Sequence, residues 1–256
     1  MKFVALLLMF AFALPAHAKL VKKTIDYKDG KTTLEGYVVY DDATKAPRPG
    51  ILVTHNWLGL TQHTKDRADQ LAQLGYVAFA ADIYGKGVRP KDQSEAGKQA
   101  GLYKGDRKLL RHRMELGLQA LKDTHLADDQ RLGVIGYCFG GTSALELALD
   151  GAPVKAVVTF HGGLDAPNPQ DAKNIKGHVL VLHGADDPYN KAEDVAAFQK
   201  EMRDAKVDWQ MVSYGNAVHS FTEKEAGTDN SVGAAYNALA DQRSWQAMKD
   251  FLKETL

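Results

Sequence analysis

Apolar residues along this chain fall into short blocks whose spacing switches between two periods. Residues 50–56, GILVTHN, make a near-continuous apolar run with β-branched members, the pattern of a strand buried on both faces. The block at 63–75, HTKDRADQLAQLG, repeats its apolar positions at helical intervals and ends on Gly75, which suits a helix C-terminus. The alternation continues with a strand at 76–85 and a helix at 106–123 that aligns Leu110, Met114, Leu118 and Leu121 on one face. A strand at 131–138, a helix at 140–151 and strands at 154–163 and 178–187 follow. A helix at 192–205, a strand at 207–215 and a closing helix around Trp245, Met248 and Leu252 complete the series. Ahead of it, TIDYKDGKTTLEGYVVY at 24–40 reads as two strands joined at an Asp29-Gly30 turn.

Strands that alternate with helices imply βαβ units and a mostly parallel sheet covered on both faces. Ligands of such sheets bind just outside the carboxyl ends of the strands, so chemistry is sought in the residues past each strand. No repeat or long linker divides the chain, and 256 residues suit one large α/β domain. The polar stretch at 86–106 is either a cap over the pocket or a solvated insertion.

Two features of composition narrow the function. Basic and acidic residues balance at 32 each, which argues against a nucleic-acid binder, since phosphate contacts need a basic surface. The first 18 residues read differently from the rest: Lys2, the apolar core FVALLLMFAFALP and the small residues Ala16, His17 and Ala18 form the pattern of a cleavable signal peptide. The expected mature chain, 19–256, would then act in the periplasm or outside the cell, with no stable membrane anchor. In such a compartment a single cysteine, Cys138, cannot form an internal disulfide and is worth attention.

Cys138 stands at the centre of Gly136-Tyr137-Cys138-Phe139-Gly140, between a strand and a helix. This is a G-x-nucleophile-x-G elbow, in which small neighbours allow a sharp turn that exposes the nucleophile. The helix N-terminus beside it favours a thiolate, and the Phe139 amide can donate to a developing oxyanion. Asp186 and Asp187 follow a later strand, and His219 follows the one after. Taken singly, each could be ordinary turn chemistry. Their order of nucleophile, acid and histidine is that of α/β-hydrolase triads, with His219 as base and Asp187, preferred over Asp186, as its support. Trp57, past the strand at 50–56, is placed to give a second oxyanion amide. The HGGLD segment at 161–165 follows the nucleophile and reads as a turn. Neither metal-ligand spacing nor a phosphate-binding glycine loop is present, so no cofactor is expected.

The segments HNWLGL, ADIYGKG, GYCFGG, HGADDPY and HSF together resemble the dienelactone hydrolase family, within the α/β-hydrolase fold. The resemblance spans nearly the whole mature chain. It implies a thiol hydrolase of small esters or lactones working through an acyl-enzyme, with Cys138, Asp187 and His219 as triad and Trp57 and Phe139 as oxyanion donors. Members that open dienelactones carry a glutamate where this chain has Asn56, and bind the substrate carboxylate with arginines. Here Lys86 and Arg89 are candidates for the first of those arginines, while Glu223 stands near the second. Two other functions fit the same residues: a catalytically weak hydrolase-like binding protein, and a redox-responsive thiol protein. Oligomeric state leaves no mark in the sequence.

Overall fold

The structure is a computed structural model that describes residues 19–43 and 45–256. The expected signal peptide lies outside the described residues. Among those described, no helix is long and apolar enough to cross a membrane.

Eight strands form one sheet in the order β1-β2-β4-β3-β5-β6-β7-β8. Strands β1 (Leu20–Asp29) and β2 (Thr32–Asp41) pair along their full ten residues through the Asp29-Gly30 turn, where Gly30 adopts φ +54°. Both run antiparallel to their neighbours, so the sheet is mixed at this edge. The rest is parallel: β3 (Arg48–Thr54), β4 (Val77–Ala81), β5 (Ala127–Tyr137), β6 (Ala156–Phe160), β7 (His178–Gly184) and β8 (Trp209–Tyr214). The central strands read as uninterrupted apolar runs because helices cover both faces.

One face carries α2 (Gln93–Gly105), α3 (Arg107–Asp123), α4 (Phe139–Leu149) and α5 (Ala192–Ala205), packed around Leu52, Phe79, Leu110, Met114, Leu147 and Phe198. The opposite face carries α1 (Gln62–Gln73) and α6 (Ala238–Thr255), packed around Ile51, Leu71, Phe160, Met248 and Leu252. The four expected apolar positions of α3 are all buried.

Helix α2 falls within the 86–106 segment and is not legible as a helix in the sequence. Its apolar face consists only of Ala96, Ala100 and Tyr103, which are too few and too small to give a periodic signal. Asp92 caps its first turn by accepting from the Glu95 amide, and Asp106 caps α3 in the same way from Leu109.

Ionic ties fasten the helices that carry the site. Glu146 of α4, buried, accepts from Arg107 at 2.9 Å and Arg111 at 2.7 Å, and Arg111 also reaches Asp171. On the other face, Arg67 of α1 donates to the Thr222 carbonyl at 3.0 Å and to Asp241 of α6 at 2.7 Å. The bond to Thr222 ties the segment after His219 to α1.

Candidate active site

The elbow forms because its glycines leave no room for side chains. A Cβ on Gly136 would lie 1.9 Å from the Gly140 carbonyl oxygen, and one on Gly140 would lie 2.4 Å from the Thr54 carbonyl oxygen. The N-terminus of α4 can therefore press directly onto β5 and the end of β3. Cys138 sits at the apex with φ 54° and ψ −116°, a conformation rarely adopted by residues other than glycine. Its amide donates to Phe160 of β6, and its carbonyl accepts from Gly141 and Thr142.

Three strand ends then bring distant side chains into one chain of contacts. His219 Nε2 lies 3.0 Å from Cys138 Sγ, and His219 Nδ1 lies 2.9 Å from Asp187 Oδ2. Asp187 also accepts from the Tyr189 amide at 2.9 Å and from Asn190 Nδ2 at 3.2 Å. Burial alone would push its carboxyl up, but His219 and these donors outweigh that and hold it below the usual carboxylate range. Burial alone would likewise depress the His219 imidazole. The Cys138 sulfur and the Asp187 carboxylate overcome it and raise the ring well above the usual histidine value. Asp186 stays on the exposed side of the loop, with its amide on the Ala217 carbonyl.

The loop after β3, which carries Trp57, is built around His55. The Ile83 amide donates to His55 Nε2, which leaves Nδ1 as the protonated nitrogen that donates to the Asn56 carbonyl at 2.6 Å. Burial keeps this ring neutral by lowering it to about 4. The Asn56 side chain accepts from the Leu58 amide at 2.9 Å and so fixes the turn that presents Trp57. Among the described residues, no acceptor meets the amides of Trp57 or Phe139, and both residues line the cleft beside Cys138. This open cleft of about 480 Å³ also takes in Ala100 and Lys104 of α2, Thr142, Asp165, Asn190, Asp194 and His219. Two of these come from α2, so the 86–106 segment contributes a wall of the pocket.

Lys86 and Arg89 do not serve as carboxylate clamps. Lys86 pairs with Asp26 at 2.6 Å on the surface, and Arg89 donates to the carbonyls of Leu60 and Val88. Neither side chain lines the cleft. Glu223 is buried and accepts from Asn56 Nδ2 at 3.0 Å, while its Oε1 has no partner. Burial raises its carboxyl to about 7, although the Asn56 bond and His219 act in the opposite direction.

Sequence reading missed three supporting residues. Asn190 donates to Asp187 and to the Gly162 carbonyl, and its oxygen accepts from the Leu164 amide. Tyr189 sets its ring edge-on to His219 at 5.1 Å. His161, at the start of the HGGLD turn, packs its ring 5.2 Å from His219 and bonds Thr222 Oγ1 through Nε2. Burial and the neighbouring His219 keep it well below the usual value, hence neutral. The position of Asn190 three residues past Asp187 was the one available signal among these.

The dienelactone hydrolase family model matches residues 34–256. The solved structure of a protein named m3DLH superposes with a TM-score of 0.89 at 41% identity, covering 93% of this chain and 99% of that one. A dienelactone hydrolase-like promiscuous phosphotriesterase from metagenomic libraries gives 0.88 at 43% identity, covering 92% and 98%. A putative carboxymethylenebutenolidase from Yersinia pestis is 28% identical over 86% of this chain and 84% of its own length.

Proposed function

The chain belongs to the dienelactone hydrolase family and is a carboxylic ester or lactone hydrolase; we propose that it opens small substrates through an acyl intermediate on Cys138, with His219 as base and Asp187 as its support. The observation that carries this reading is the contact chain of 3.0 Å and 2.9 Å ending in a thiol on a strained elbow.

In this mechanism His219 holds the thiol proton, and the Cys138 sulfur attacks the carbonyl carbon. The carbonyl oxygen takes up the negative charge and receives the amides of Trp57 and Phe139. As the C–O bond to the alcohol breaks, the imidazolium returns its proton to the leaving oxygen. For a lactone that oxygen stays attached to the acyl chain. A water molecule, deprotonated by His219, then attacks the thioester carbon and releases the acid, and the proton goes back to the sulfur–imidazole pair. Asp187 keeps the Nδ1 proton aligned throughout and supports the positive ring.

Rapid mixing with 4-nitrophenyl butyrate is expected to give a burst of nitrophenol and a butyryl adduct on Cys138 by intact-mass spectrometry. Cys138→Ala should remove both. Undiminished turnover in that variant would overturn the reading. Since one relative is described as a promiscuous phosphotriesterase, a neutral phosphotriester belongs in the same assay, where the phosphoryl oxygen would occupy the oxyanion position. Export before activity is a further part of the proposal. It rests on the N-terminal sequence, and N-terminal sequencing of the mature protein checks it.

A further inference from the structure

The charges that face the cleft restrict its substrates more closely than the hydrolase reading alone, on which this restriction rests. Outside the Cys138–His219 pair, the acidic and basic side chains that line the cleft are Lys104, Asp165 and Asp194. Among the described residues that line the cleft, Lys104 is the single lysine or arginine. Its ammonium lies 3.9 Å from Asp165, whose other oxygen is bound by Arg107 at 2.5 Å from behind the cleft wall, and it is 43% exposed, so its field is offset in part and screened by water. Asp194, at the start of α5, accepts from the Lys191 amide and has no side-chain cation among the described residues. The two cations that the sequence placed near this site, Lys86 and Arg89, are bound elsewhere.

A carboxylate that leaves water needs a cation or several aimed N–H donors to replace its hydration. This cleft offers neither in excess, and its remaining wall is apolar or neutral, formed by Trp57, Ala100, Phe139 and Thr142. We infer that the enzyme acts on esters or lactones whose acyl and alcohol parts are uncharged, and that it discriminates against substrates bearing a carboxylate.

A matched pair of esters tests this directly. 4-Nitrophenyl hexanoate and the mono-4-nitrophenyl ester of adipic acid share chain length and leaving group, and differ by a terminal methyl against a terminal carboxylate. The hexanoate is expected to exceed the adipate in kcat/KM by about tenfold or more, the size of a single unfavourable charge contact. Asp194→Asn should narrow that ratio, and because both esters meet the same preparation, a partial loss of folded protein does not move it. Equal or better turnover of the adipate by the wild-type enzyme overturns the inference and leaves the hydrolase reading standing. Turnover of neither ester above the Cys138→Ala background sinks the hydrolase reading and the inference with it.

Discussion

The imidazole of His219 touches both Cys138 Sγ, at 3.0 Å, and Asp187 Oδ2, at 2.9 Å, so its charge depends on a sulfur 81 residues away in the chain. Burial opposes the imidazolium, and the sulfur is the largest influence in its favour. Cys138→Ala removes that influence and keeps the burial. The ring in this variant should therefore titrate at lower pH than in the wild type, read by ¹⁵N NMR of the labelled imidazole. An unchanged titration would show that the two side chains do not share a proton.

The acid is held by more than the histidine. Asn190 bonds Asp187 and two backbone groups at once, so Asn190→Ala removes one of the donors that hold the carboxylate against His219, while the Tyr189 amide remains. Loss of a hydrogen bond to a charged group costs roughly 1.5–3 kcal/mol, which predicts a fall in kcat of about tenfold to a hundredfold. Asp187→Asn, which keeps the shape but reverses the proton preference at Nδ1, should cost about 10³–10⁴. Steady-state kinetics on 4-nitrophenyl butyrate separates the two, with the Asn190→Ala variant expected to retain far more activity.

Glu223 predicts how stability varies with pH. Its carboxyl stands near 7 in the folded protein against an ordinary value of 4.5, so the native state holds a proton that the unfolded chain has released. The contribution is fully present below about 4.5 and is lost as pH rises through about 7, amounting to on the order of 3 kcal/mol. Glu223→Gln carries no such titration. Urea unfolding at pH 5 and pH 8 should show a smaller drop in the variant than in the wild type. An equal drop would mean that Glu223 is ionised at both pH values.

Gly136→Ala would drive a methyl group into the Gly140 carbonyl at 1.9 Å, where both partners are backbone and neither can yield. A loss of about 4 kcal/mol or more is expected, enough to leave little folded protein. Gly97→Ala, on the open side of α2 with nothing near the added methyl, should be neutral or slightly stabilising. Paired thermal melts make the comparison.

What was legible in the sequence followed from local rules. The alternation of β-branched runs and helical blocks located the strands of the parallel sheet, and the order of residues past strand ends picked out Cys138, Asp187 and His219. Proximity to a strand end does not set a side chain's direction, and that is where the reading went astray. Lys86 and Arg89 lie beyond β4 as expected, yet Asp26 and the Leu60 carbonyl draw them off. Glu223 looked like a charge facing substrate, whereas the fold turns it inward onto Asn56. His161 joins the site across 58 residues of chain, through a packing contact that leaves no periodic trace.

Cys138 keeps φ at 54°, where a side chain is costly by roughly 1–3 kcal/mol and glycine is at ease. Folding alone would choose glycine at this position. A directed-evolution campaign that selected only for heat tolerance would thus tend to discard the thiol at position 138. Selection for thermal tolerance in this enzyme has to be paired at every round with selection for turnover, or the best-surviving molecules will be those without a thiol at position 138.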